Sequence, residues 1–340
     1  MKIIRIDDLA NFDNSIVDEL LEKSGGQPCA FGLFSEVFLN ALPGLGSIFD
    51  KLGPGYKLIL DRSHYSITPA NWTVPTLYID WHLLRVKNAV DTKELEINSD
   101  WNSNSGKFLF LTGKPAKIQR IRLLWMYARA NLLDRAIWSL FIDRQRKNPP
   151  GENTIRNCQD FLPELDQSQL QSFLIEHEFS PDNIELEKNE AQPLVGTWWQ
   201  KHIYEQSSLN VVSATEFDNN TFDMVLCEKI WKPIINSQPF IIAGQHNTLS
   251  RLNDLGFRTF EHYMPHPDYS LVSNKQKKLE QIVENTVGFL DNIHLCKEQI
   301  KQDVEYNYNH FFTVYKNNMQ QLQEFVNEDQ IVLDFTGRHL

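Results

Sequence analysis

The chain has 340 residues, room for two ordinary domains or one large one, and its 41% hydrophobic and 23% charged content excludes fibrous and wholly disordered architectures. With 33 basic against 44 acidic residues the net charge is −11, so the surface as a whole repels polyphosphate and unaided nucleic-acid binding is disfavoured. Four cysteines, Cys29, Cys158, Cys227 and Cys296, lie far apart with no CxxC pair, which predicts reduced thiols rather than a zinc site or a disulfide framework.

The N-terminus turns acidic at Asp7-Asp8, too early for a secretory signal, and no apolar run approaches the ~20 residues of a membrane span. A soluble, cytoplasmic protein without a transmembrane segment is expected, in which Asn71-Trp72-Thr73 is a sequon without consequence. Ile16 to Leu21 and Phe31 to Leu42 have helix-compatible apolar spacings, separated by Gly25-Gly26 and Pro28. Tyr56 to Asp61 and Thr76 to Asp80 are short apolar runs ending in a carboxylate, as buried parallel strands do. The polar stretch from Glu96 to Gly106 predicts turns and solvated backbone, and a domain boundary between residues 1–105 and 106–340.

Lys107 to Thr112 predicts a strand and Gly113-Lys114-Pro115 a turn. A helix from about Ile118 follows, burying Ile121, Leu124, Tyr127 and Ala128 and running to Leu132-Leu133; Ala136 to Phe141 returns as a strand. Together these make a parallel, right-handed βαβ unit. Residues 142–195 are rich in Pro, Asn, Gln and Glu, and read as an insertion with one helical stretch near Gln167 to His177. Leu209 to Ser213 is then a strand, Leu226 to Asn236 a helix, Gln238 to Gly244 strand and turn, and Asn247 to Leu255 a helix ended by Gly256. Strand followed by helix, again and again, with small residues at strand ends, predicts a Rossmann-like α/β sheet. Two helices close the chain over 275–327. Their apolar stripes, Leu279, Ile282, Val283, Val287, Leu290 and Ile293, then Val304, Tyr308, Phe311, Tyr315, Leu322 and Phe325, predict packing against the sheet rather than a ligand role.

The region 209–260 concentrates polar residues where such a sheet binds ligands, at the carboxyl ends of its strands, with Thr215-Glu216 directly after one of them. Glu228-Lys229 opens a helix. A helix N-terminus with a Lys beside it suits a diphosphate and a neighbouring Glu can accept from ribose hydroxyls, although the same pair also reads as a solvated ion pair. Gly113, Lys114, Lys117, Arg120 and Arg122 make a basic strand-to-helix turn, a second candidate anion site, with Arg120 nearest the turn; the alternative is a set of water-facing side chains.

Three blocks carry a resemblance. Phe108 to Leu124 (FLFLTGKPAKIQRIRLL) with Asn131 to Asp134, Glu228 to Gly244 (EKIWKPIINSQPFIIAG), and Asn247 to Phe260 (NTLSRLNDLGFRTF) resemble the donor-side domain of a group of glycosyltransferases from bacteria and phages. The middle block is also similar to the nucleotide-sugar motif of α-1,3-fucosyltransferases, which have the GT-B fold. The likeness covers roughly residues 107–290. It implies two Rossmann-like domains facing a cleft, an acceptor domain over 1–105 and a donor domain over 106–340 with closing helices. By the same likeness Glu228 would bind the nucleotide ribose, Lys229 the diphosphate, and Arg120 the phosphates from the other side. Cys227 stands where threonine is usual, removing a hydroxyl contact, and Pro267 precedes Asp268-Tyr269 where an acidic residue is common, leaving the sugar open.

The expected activity is hexosyl or deoxyhexosyl transfer from a nucleotide sugar to a glycan hydroxyl. Basic groups and helix termini would stabilise the leaving diphosphate without a metal or other cofactor. Asp61 and His64 lead the candidates for the acceptor base, followed by Asp80, His82 and Glu36, although a strand-end Asp commonly caps a turn instead. No Asp-x-Asp triplet follows a strand, and His246, His262 and His266 lack the i, i+4 spacing of a zinc site. Two rival readings share the donor site: a phage-type enzyme that glycosylates DNA bases, and a non-catalytic nucleotide- or sugar-binding protein.

Overall fold

The computed structural model describes residues 3–5, 16–33, 51–52, 55–62, 74–91, 97–98, 100–112, 117–140, 158–177, 201–215, 217 and 226–327. They form a mixed α/β fold with two four-stranded sheets, each parallel throughout. The first sheet holds β1 (Ile3–Arg5), β2 (Ala30–Leu33), β3 (Lys57–Asp61) and β4 (Thr76–Ile79), in the order β1-β2-β3-β4. Helix α1 (Ile16–Ser24) lies between β1 and β2 in the chain, and α2 (Trp81–Asp91) follows β4.

The second sheet begins with β5 (Phe108–Thr112), α3 (Ile118–Arg129) and β6 (Ala136–Leu140), then continues through α4 (Gln167–Glu176) and α5 (Lys201–Glu205). β7 (Leu209–Ser213), α6 (Glu228–Ile235), β8 (Phe240–Ala243), α7 (Thr248–Asp254), α8 (Lys275–Asn292) and α9 (Lys297–Val326) complete the chain. Its strand order is β6-β5-β7-β8, a Rossmann-like arrangement. From β5 the chain steps to β6 on one side and later to β7 on the other, so the direction reverses between β5 and β7. Open α/β sheets bind ligands outside the strand carboxyl ends at such a reversal. Right-handed crossovers that step in opposite directions put α3 and α6 on opposite faces of the sheet.

The central strands are buried on both faces: Leu58, Ile59 and Leu60 of β3 and every residue of β7 are buried. The buried apolar residues join into one continuous cluster that includes Ile59, Ile79 and Leu84 as well as Leu109, Trp231 and Phe311. α9 ties the two parts together. Toward the second sheet its Phe311 meets the fully buried Trp231 of α6 with ring centroids 6.2 Å apart. Toward the first, Asn318 accepts the Asp80 N–H at 2.9 Å, and Lys87 of α2 lies 5.0 Å from the centre of the Tyr315 ring.

Several sequence expectations need correction. Phe31 to Leu33 is strand rather than the start of a helix: Ala30, Phe31 and Gly32 are buried between β1 and β3, where an extended backbone finds ladder partners on both sides. The helix after β5 ends at Arg129, not at Leu132-Leu133, because Asn131 turns left-handed at φ 54°. The Ser/Asn-rich boundary is a docked strap, not a solvated tether. The Asn98 N–H donates to Asn236 Oδ1 at 2.8 Å, the Trp101 indole to the Ser208 carbonyl at 2.8 Å, and the Asn102 amide to the Glu205 carbonyl at 2.7 Å. Finally, α8 packs on the second sheet as expected, whereas the aromatic stripe of α9 packs on α6, α2 and β4.

Candidate functional site

α3 starts after β5 and α6 after β7, so both helix N-termini lie at the carboxyl ends of the two strands that flank the reversal. A side-chain bridge joins these ends: Gln119 of α3 donates to the Ala214 carbonyl, one residue past β7, at 2.8 Å. Its neighbour Arg120 is buried at the same turn. Beyond β7, Thr215 Oγ1 lies 3.5 Å from Lys229 Nζ, and Lys229 pairs directly with Glu228. Ser213, at the last position of β7, is 2% exposed, and its hydroxyl has no hydrogen-bond partner among the described residues.

α6 is a short helix of eight residues. Cys227 occupies its N-cap in extended conformation and makes no capping hydrogen bond, as expected of a thiol where a hydroxyl would accept. The helix holds its place by apolar contact, since Ile230, Trp231, Ile234 and Ile235 are all buried, and the Trp231 indole donates to the Leu226 carbonyl at 3.1 Å.

The charges around Glu228 are coupled. Burial alone would push its carboxyl up, but Lys229, His82 and Lys232 outweigh that and hold it well below the usual carboxylate range. Burial pulls the Lys229 ammonium down and Glu228 more than restores it, so the net direction is up; Arg120 acts in the opposite sense, placing its guanidinium within electrostatic reach of Lys229. Lys232 is brought down to about 8, chiefly by burial, with Glu228 opposing the fall and Lys229 and Arg85 adding to it. On α8, Lys278 donates to the Gly244 carbonyl at 2.7 Å, just past β8, and burial lowers its ammonium to about 8.

Of the sequence-predicted residues, Arg120, Thr215, Glu228 and Lys229 therefore come together. Gly113, Lys114, Glu216, His64 and Glu36 lie outside the described residues. Asp61 is buried and its carboxylate accepts the Trp81 N–H at 3.1 Å, at the start of α2. Asp80 is likewise buried, bonded to Arg62 at 3.2 Å and to Asn318 at 3.3 Å; burial raises its carboxyl, with Arg62 opposing. His82 is not at a strand end but in the first turn of α2, with Nδ1 4.0 Å from Glu228 Oε2. Glu228 thus spans Lys229 on its own helix and His82 of α2, and a carboxylate with four acceptor positions has capacity for a further donor.

His262 and His266 face different carboxylates, Asp303 and Glu284, and no three His, Cys, Asp or Glu side chains converge into a metal-holding group among the described residues. Nor is any helix among them long and apolar enough to cross a membrane. Sequence reasoning missed Lys232, Lys278 and Arg85. Lys232 carried a usable signal, being one helical turn after Glu228. Compared with protein-family models, with curated proteins and with solved structures, the chain matches none.

Proposed function

We propose that the chain is a GT-B-type glycosyltransferase, moving a hexose or deoxyhexose from a nucleotide sugar to a hydroxyl of a glycan. The observation that carries this reading is the convergence of Arg120, Lys229 and the N-terminus of α6 at the strand reversal between β5 and β7. In an acidic chain, cations gathered at helix N-termini favour a phosphate-bearing ligand.

In this reading Lys229 and Arg120 grip the diphosphate from the two faces of the sheet. Transfer breaks the bond between the anomeric carbon and the diphosphate, and negative charge accumulates on the leaving oxygen. Cations already in place, and peptide dipoles already oriented, lower the cost of that charge most where water is sparse. Glu228 accepts from the ribose while keeping Lys229 extended toward the phosphates. An acceptor hydroxyl loses its proton to a base beside the first sheet, where His82 of α2 faces the site and Asp61 and Asp80 are engaged with α2 and α9.

Calorimetric titration with UDP, GDP and CMP, followed by turnover assays with the corresponding sugar nucleotides, tests the proposal. One of these nucleotides binds the wild type, and Lys229→Ala weakens that binding by roughly tenfold or more, the worth of one charge-assisted contact. Binding without turnover on any acceptor would favour a non-catalytic nucleotide-binding protein. No binding at all would remove the donor site.

A further inference from the structure

α2 and α6 lie against each other with their first turns together. His82 and Arg85 are three residues apart on α2, and Glu228 and Lys232 four apart on α6, so each pair shares a helix face. The first members face each other at 4.0 Å, and the second members, Arg85 and Lys232, are close enough to repel. The two first turns therefore meet with the positive ends of both macrodipoles adjacent. Around that junction stand Lys229, Lys232, Arg85 and Arg120, with the Glu228 carboxylate among them. Such a concentration of positive charge, in a chain of net charge −11, favours a ligand with more than one negative charge, and Arg85 brings to it a guanidinium from the first sheet's helix.

We propose that Arg85 is a direct ligand of the bound anion, so that a diphosphate is held from both sheets whereas a monophosphate is held by the second alone. The inference rests on the nucleotide-sugar reading and adds to it a requirement for both phosphates. Arginine suits the role because its planar fork matches two phosphate oxygens at once. Arg85 is half-buried, which limits the side-chain freedom lost on binding.

Calorimetric titrations of UDP, GDP, UMP and GMP against the wild type, Arg85→Gln, Arg85→Lys and Lys229→Ala decide the matter, with thermal melts to confirm that each variant is folded. Arg85→Gln weakens diphosphate binding by about tenfold and leaves monophosphate binding within about twofold. Arg85→Lys, which keeps the charge and the stem, loses less but in the same pattern. Lys229→Ala weakens both ligand classes. Unchanged diphosphate affinity in both Arg85 variants, beside a weakened Lys229→Ala, would overturn the role of Arg85 and leave the donor site standing. Equal losses for mono- and diphosphate in the Arg85 variants would also overturn it. A wild type that binds none of the four ligands would overturn this inference and the donor site together.

Discussion

In the first sheet the strands follow one another in chain order, β1-β2-β3-β4, whereas in the second the chain returns to the far side of β5 before laying down β7 and β8. The difference decides what the strand ends are free to do. Without a reversal, the carboxyl ends of β3 and β4 are closed over by the fold: Asp61 accepts the first N–H of α2, and Asp80 is held by Arg62 and by Asn318 of α9. At the reversal in the second sheet, helices depart to opposite faces and their N-termini converge, leaving Gln119, Arg120, Thr215 and Lys229 around one point. Similar residues at similar strand ends thus close over the fold in one sheet and gather around the reversal in the other.

The two regions are most severely disrupted at Trp231, which is fully buried, meets Phe257 at a tilt and packs edge-on against Phe311 of α9. Trp231→Ala removes the ring on which α6 and α9 are registered. It lowers unfolding free energy by about 3–5 kcal/mol in denaturant titration, and the site is lost with it. A smaller effect separates the two sheets directly. Asp61→Ala deprives the start of α2 of its acceptor and costs about 1–2 kcal/mol of stability, while nucleotide affinity changes by less than about twofold. A loss of affinity without a loss of stability would show that the β3 end serves the ligand as well.

The mildest test uses pH. The Lys278 ammonium titrates at about 8 in the folded chain against an ordinary 10.5, so between those values the unfolded chain holds a proton that the folded chain has released. Stability attributable to this group rises with pH through that window; below it, the cost of burying the charge is present in full. The stability difference between wild type and Lys278→Met, followed by denaturant titration at pH 7, 8.5 and 10, should shift toward the wild type as pH rises. A constant difference would mean that the ammonium is not disfavoured by burial.

Much of the second sheet was legible in the sequence because short apolar runs, each followed by small residues and an amphipathic stretch, admit few structures. Phe108–Thr112, Leu209–Ser213 and Phe240–Ala243 are such runs, and the helices after the first two begin where the spacing predicts. α2 was not legible. Trp81, His82, Leu83, Leu84, Val86 and Ala89 are all buried, so its apolar residues circle the helix and give no clean 3.6-residue stripe. With α2 unseen, His82 read as a strand-end residue and Arg85 drew no notice. The strap around Asn98 and Ser105 misled for a different reason: the Asn98 N–H donates to the Asn236 side chain, the Asn102 amide to the Glu205 carbonyl, and the Ser105 hydroxyl bonds that of Ser208, and polar residues look the same in sequence whether their partner is water or protein.

What this sequence determined alone was local: which runs are strands, where α3 and α6 begin, and that a cationic turn and a Glu-Lys pair each open a helix. Only the tertiary structure decided that strand order reverses between β5 and β7, that α2 and α6 meet with their first turns together, and that α9 joins both sheets. The reason lies in range. Backbone propensity and apolar period act over a few residues, whereas Lys232 feels the charge of Arg85, nearly 150 positions away, only once hydrophobic burial has folded the chain between them.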